Sequence, residues 1–376
     1  MQESKSLTPL MKQYWDIKSL HEDKIVLFRM GDFYEMFYDD AVTAAPILGI
    51  TLTSRNKKSN DETPMCGVPY HSISGPINKL LAQGLKIAIC EQVEDPKIAK
   101  GIVKRAVTRV LSPGMVYDPD TLDSTIANYI ACFEEKVFAA IDVTTGESFY
   151  FEGISDEVFR RFILVLPIVE LLAEKKEKDF LGFNGAITFS EKLSNEDLPK
   201  ACRRLLSYVT EMNPEQALTL KKFEKRSLAK RMNISPSSYQ HLEIFQSNKQ
   251  QSEGSLFHAI NRTKTSVGAR LLRARLSLPL VDAQEMNARH DEVETWVQNL
   301  PLVQKIREIL AQSGDLERRL SRISQSSCSA RDLLSLARSI EASVSAQDLA
   351  VKKKTFDQVR LFAEKILCSI NEDAPI

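Results

Sequence analysis

The sequence predicts a multidomain α/β protein: an α+β first domain over residues 1–115, a linker over 116–124, an α/β second domain over 125–233, and an all-α segment over 234–376. Three observations carry that reading. A chain of 376 residues is long enough for two or three domains rather than one. Breakers cluster at Ser112-Pro113-Gly114 and Asp118-Pro119-Asp120, where apolar content is low. Along the chain, the apolar spacing also changes from mixed, to strand-rich, to helical.

In the first domain, Thr8-Pro9 offers a capping hydroxyl followed by proline at the first helical position. Leu10, Met11, Tyr14 and Trp15 then form an apolar side for the helix. The run Ile25-Val26-Leu27-Phe28 has the continuity of a buried strand and delivers the chain to a turn at Gly31-Asp32. A second helix is expected over residues 37–48 and a short one between Gly75-Pro76 and Gly84. Ile87 and Ile89 then alternate with smaller residues as in a strand.

In the second domain, residues 129–133, 137–142 and 148–151 are short β-prone runs. Thr144-Thr145-Gly146-Glu147 closes a hairpin between the last two, and helical text follows from Asp156. From Ser255 onward the pattern is helical, with Val267, Leu271, Ala274 and Leu278 recurring on one face. Asp282 with Glu285, and Ser329 with Asp332, have the spacing of helix-start boxes. The last helix runs toward Ser369, and the text stops at Ala374-Pro375-Ile376 before a third domain is complete, as in a fragment.

Composition narrows the function classes. Fifty basic residues match fifty acidic ones, so any nucleic-acid surface is local rather than global. Six cysteines without a C-x-x-C pair disfavour a zinc module and a disulfide framework, and fit a reducing compartment. The N-terminus has no apolar signal core, and no run reaches the roughly 18 apolar residues of a membrane span, so the chain reads as cytoplasmic with no membrane partner. His21, His71, His241, His258 and His290 share no H-E-x-x-H spacing. No G-x-x-x-x-G-K-[ST] phosphate loop occurs, so no catalytic, metal or cofactor residue is assigned. Between residues 51 and 110, ten basic residues face five acidic ones, and Arg55, Lys57 and Lys58 are the first choice for phosphate contacts. A second basic stretch, from Lys221 to Arg231, is not assigned to DNA.

The most informative stretch is Phe28-Arg29-Met30-Gly31-Asp32-Phe33-Tyr34-Glu35-Met36-Phe37-Tyr38, with five aromatics around one glycine turn. Alone, it reads as an aromatic core, since most aromatic side chains are buried. Its context changes that reading. With Pro64-Met65-Cys66-Gly67-Val68-Pro69-Tyr70-His71, Ile89-Cys90-Glu91-Gln92 and Leu111-Ser112-Pro113-Gly114, the first domain closely resembles the mismatch-recognition domain of the MutS family. Asn261-Arg262-Thr263, Gly268-Ala269-Arg270-Leu271-Leu272, Arg289-His290-Asp291, Asp315-Leu316-Glu317-Arg318 and Arg331-Asp332-Leu333 are similar to the family's helical core and lever. The resemblance is weakest between residues 151 and 220.

The resemblance implies an RNase H-like connector as the second domain and the start of the core and lever as the third. It implies that Phe33 is a wedge stacking on a mispaired or unpaired base, that Glu35 hydrogen-bonds that base, and that Tyr34 packs inward. It implies duplex DNA with mismatches or small loops as ligand, a homodimer, and a MutL-type partner. ATP and magnesium would be used by an ATPase domain beyond this chain, and the protein would associate with the nucleoid when bound to DNA. Three other readings stay open at this point: an architectural protein that bends any duplex, a protein-interaction scaffold whose Phe33 cluster is core, and an RNase H-like nuclease using Asp142 at a strand end and Glu147 after the turn.

Overall fold

The computed structural model describes residues 8–55, 63–94, 102–116, 122–174, 183–213, 220–249, 251–324, 328–351, 356–371 and 373. The chain divides into two compact units, Met1–Val116 and Tyr117–Ile376.

Among the described residues, the first unit is a six-stranded sheet with three α-helices. Its strands are β1 (Lys24–Met30), β2 (Phe33–Phe37), β3 (Thr53–Arg55), β4 (Thr63–Pro69), β5 (Lys86–Gln92) and β6 (Arg105–Leu111), and its helices are α1 (Pro9–Lys18), α2 (Tyr38–Leu48) and α3 (Ser74–Ala82). The order is β3-β4-β2-β1-β5-β6, with only the β1–β5 pair parallel. Thr8 caps α1 by accepting from the Met11 amide, as its sequence position implies. That helix lays Met11 and Tyr14 on Val26, Phe28, Phe37, Ala88 and Cys90, the core of one sheet face. One buried carboxylate ties the elements together: Asp40 of α2 accepts from the Val26 amide at 2.9 Å, the Tyr14 hydroxyl at 3.2 Å and Lys18 Nζ at 2.8 Å.

The sequence expectation misses β2. Residues 33–37 continue as a strand after the turn, and Phe37 belongs to that strand rather than to the second helix. The alternation that marks a strand is hidden because Tyr34 and Met36 are buried on one face and Phe37 on the other, leaving apolar residues at successive positions.

The second unit begins with a six-stranded mixed α/β sheet. Its strands are β7 (Tyr129–Glu134), β8 (Val137–Asp142), β9 (Glu147–Phe151), β10 (Ile168–Ala173), β11 (Ala186–Phe189) and β12 (Glu224–Lys225), in the order β11-β10-β7-β8-β9-β12. β7, β8 and β9 form an antiparallel meander, whereas β10 runs parallel to both β7 and β11. Helix α4 (Asp156–Val165) supplies Phe159 and Phe162 to a core with Phe138, Phe149 and Phe151. Helix α5 (Lys200–Met212) packs on β7 and β8 and brings the fully buried Arg204, whose Nε and Nη2 donate to Glu134 at 2.9 and 3.0 Å.

The remaining elements are helices: α6 (Pro236–His241), α7 (Leu256–Ile260), α8 (Ser266–Ser277), α9 (Ala283–Val297), α10 (Leu300–Leu310), α11 (Leu316–Ile323), α12 (Ala330–Val351) and α13 (Asp357–Ser369). Both expected start signals cap their helices, the second as a reciprocal box. Asp282 accepts from the Glu285 amide at 2.9 Å, and Ser329 and Asp332 bond reciprocally. Asp315 caps α11 and also receives Arg270 at 2.5 and 3.0 Å, while Arg318 donates to the carbonyls of Asp123 and Ile126. This buried clamp fastens the segment before β7 to the helices.

Candidate nucleic-acid interface

The site starts from a turn. β1 and β2 are joined by only Gly31 and Asp32, and Gly31 takes φ +57° at the first turn position, a left-handed value that a Cβ would strain. Two further bonds hold the turn: Arg29 Nε donates to the Gly31 carbonyl at 2.6 Å, and the Tyr70 amide donates to the Asp32 carbonyl at 2.9 Å. Phe33 is the first residue after it.

From there strand geometry decides what faces where. Successive side chains alternate, so Phe33, Glu35 and Phe37 share one face of β2 and Tyr34 and Met36 the other. The first set grades from outside to inside: Phe33 is 47% exposed, Glu35 is half-buried, and Phe37 is fully buried. Cross-strand neighbours reinforce the gradient. Phe33 sits between Met30 and Pro69, and Glu35 between Phe28 and Gly67. At Gly67 the missing side chain matters, since a Cβ there would lie 3.3 Å from the Tyr34 carbonyl and 3.5 Å from Glu35 Cγ. The bare glycine leaves the stem of Glu35 its room.

Tyr34 packs against the opposite face. Its hydroxyl donates to Glu91, and burial together with that carboxylate pushes its phenol up to about 12. Arg29 lies between two rings, 5.4 Å from the centre of Tyr34 and 3.8 Å from that of Tyr70, which is 44% exposed. On the Glu35 side, the nearly buried Arg105 stacks over Phe28 at 5.1 Å and donates to the Arg29 and Val103 carbonyls and to Gln13. Burial lowers the Arg105 pKa, while the Glu35 carboxylate acts to raise it, which places Glu35 within electrostatic reach of a cation.

Arg29 and Arg105 were not singled out by sequence reasoning. Arg29 stands inside the aromatic run, and an arginine flanked by rings was the available signal. Arg105 carried none, because only the β5–β6 pairing brings it to Phe28. Among the residues expected to hold phosphates, Arg55 ends β3 at the sheet's outer edge, two strands from β2. Lys57 and Lys58 lie outside the described residues.

The nuclease alternative fails on the geometry of its own acid. Asp142 is fully buried, and its oxygens accept from the Asn128 amide at 3.0 Å, the Thr144 amide at 2.8 Å and the Thr144 hydroxyl at 2.6 Å. Glu147 is taken by Tyr129 and Arg226. Among the described residues no three His, Cys, Asp or Glu side chains are grouped to hold a metal ion. No helix there is long and apolar enough to cross a membrane.

Comparison with known proteins is concordant along the chain. Residues 8–120 match the family model described as MutS domain I, and residues 237–376 match that described as MutS domain III. The chain is 37% identical over 407 residues to the DNA mismatch repair protein MutS of Caldicellulosiruptor bescii, covering 98% of this chain and 47% of the relative. The protein of the same name from Bacillus velezensis is 36% identical over 92% of this chain and 42% of its own length. That from Desulfosudis oleivorans is 32% identical over 99% and 48%. The chain therefore spans about half the length of the curated relatives it matches.

Proposed function

We propose, from the premise that this chain belongs to the MutS family, that its first unit probes duplex DNA for mispaired or unpaired bases as part of a mismatch repair protein. The observation that carries this reading is the shared face of β2, where an exposed Phe33 on a held turn stands two residues before a half-buried Glu35. An aromatic ring entering a base step unstacks and kinks the duplex at a cost of about a few kcal/mol. A mispaired step is already poorly stacked, so the same ring enters it more cheaply, and discrimination comes from deformability rather than a sequence code.

Glu35 adds a second filter. Its charge opposes every phosphate backbone, whereas a displaced base offers a hydrogen bond in compensation, so the residue trades affinity for selectivity. The neighbouring Arg105 lies within electrostatic reach of that carboxylate. Arg55, Lys57 and Lys58 supply sequence-independent phosphate contacts in this reading. In the whole protein, a homodimer would clamp DNA, with ATP and magnesium governing release and recruitment of a MutL-type partner. The residues present do not fit that nucleotide site, since the sequence has no phosphate loop.

The deciding experiment is competition binding of matched duplex against the same duplex with a G·T pair or one extra base, for the wild type and Phe33→Ala. Loss of the mismatch preference in the variant is expected. Retention of the full preference would remove Phe33 from the site.

A further inference from the structure

A second candidate site lies wholly within the second unit. A cleft of about 930 Å³ opens between the β9–β12 edge of the sheet, the chain from Lys221 to Arg231, and helix α8. Ten lysines and arginines line it against four glutamates. Part of that charge is neutralised: Lys221 pairs with Glu317, Arg226 with Glu147 and Glu224, Lys230 with Asp282 and Glu285, and Arg270 with Asp315 and Glu317. Lys225 reaches out to Glu152. Five lining cations, Lys222, Arg231, Arg273, Arg275 and Arg289, have no ion-pair partner among the described residues.

Arg273 is the most telling. Its guanidinium packs over Phe245 at 4.4 Å and Phe257 at 5.4 Å, and its Nε is buried without a hydrogen-bond acceptor. A buried donor left unmade costs about 1–3 kcal/mol, and Arg273 is at the same time one of the cations that line the cleft. The cleft is not uniformly polar. Val267, Leu271, Ala274 and Leu278 of the α8 face line it, with Val267 and Leu271 39% and 52% exposed. Val267, Leu271 and Ala274 are exposed along the cleft, while Leu278, just past the helix, packs against the sheet core.

A concave volume within the roughly 300–1,000 Å³ range of small-ligand sites, lined by cations of the Lys221–Arg231 segment and of α8 together with the exposed apolar side chains of α8, fits a compact anion with a flat apolar body. We propose that this cleft binds a polyphosphate-bearing small molecule of nucleotide size, its phosphates on Arg273, Arg289 and Lys222 and its ring against the α8 stripe. A phosphate-loop site is not involved, and the proposal does not depend on the reading of Phe33.

Calorimetric titration of the protein at low ionic strength tests it with four probes: inorganic triphosphate, ATP, a short single-stranded oligonucleotide and polyglutamate. Saturable binding of triphosphate, tighter for ATP, is expected. Arg289→Glu and Lys222→Glu, both surface changes, should each weaken it by about tenfold or more. Arg273→Lys, which keeps the charge but loses the planar fork, should weaken it less. Lys79→Glu, in the first unit, should leave it unchanged, with circular-dichroism melts confirming that all variants fold. No saturable triphosphate or ATP binding overturns the proposal, as does binding insensitive to Arg289→Glu and Lys222→Glu. Binding of only the oligonucleotide or only polyglutamate also overturns it, by assigning the cleft to a nucleic-acid strand or an acidic protein segment.

Discussion

The two units each contain a six-stranded mixed sheet with a tight antiparallel hairpin, yet the two hairpins use their residues in opposite ways. In the second unit, the turn after β8 closes around Asp142, which has no solvent exposure and accepts from three donors of Asn128 and Thr144. Its bonding capacity is spent on the fold. In the first unit, the turn after β1 is held by backbone carbonyls, through Arg29 and Tyr70, so the side chain that follows it is not needed for closure. Phe33 stands 47% exposed there. A hairpin that closes with its main chain has a side chain to present; one that closes with a carboxylate has none.

Breaking the inward hairpin should have the largest effect. Asp142→Ala leaves three buried donors without an acceptor, each costing about 1–3 kcal/mol, so a loss of about 3 kcal/mol or more is expected. Urea unfolding followed by circular dichroism measures it, and a loss below about 1 kcal/mol would contradict the role assigned to Asp142. Phe33→Ala should do the reverse. Its stability should change by no more than about 0.5 kcal/mol. Removing a stacking ring should cost about 1–3 kcal/mol of preference for a mismatched over a matched duplex, read by competition binding.

Glu35→Ala sharpens the contrast within one strand face. Matched duplex should bind it more tightly, and the difference between matched and mismatched DNA should shrink; an unchanged affinity for matched duplex counts against the filter proposed for Glu35. Gly31→Ala tests the turn itself. A left-handed φ of +57° at a non-glycine residue costs about 1–2 kcal/mol, and the preference for mismatches should fall with it if the rigid placement of Phe33 matters.

The Arg270–Asp315 clamp gives a pH test confined to the second unit. Burial pushes the Asp315 carboxyl up, but the hydrogen bond and charge of Arg270 outweigh it and hold the group below the ordinary carboxylate range. A depressed carboxylate contributes stability that is present above its unfolded pKa of about 3.9 and is lost as pH falls through the folded value. The second unit should therefore lose stability below about pH 4, and Asp315→Asn should flatten that part of the profile while lowering stability at neutral pH. A profile of unchanged slope in the variant would show that other acids govern acid unfolding.

Much of this molecule is legible in its sequence, for local reasons. Thr8 and Pro9, Asp282 with Glu285, and Ser329 with Asp332 start helices because a side chain reaches an amide within three residues. The Gly31-Asp32 turn follows from backbone freedom, and the ordered series of motifs placed the chain in its family. The tertiary structure decided the rest. It showed residues 33–37 to be a strand, because burial on both faces erases the polar alternation that would have announced one. It brought Arg105 to Glu35 and Phe28 through strand pairing across some seventy residues of sequence. It also set Val267, Leu271 and Ala274 along a cleft lined by lysines and arginines, and packed Leu278 against the sheet core. Spacing along a chain fixes what a residue does to its neighbours within a turn or a strand; only the packed chain fixes which distant charge or ring it meets.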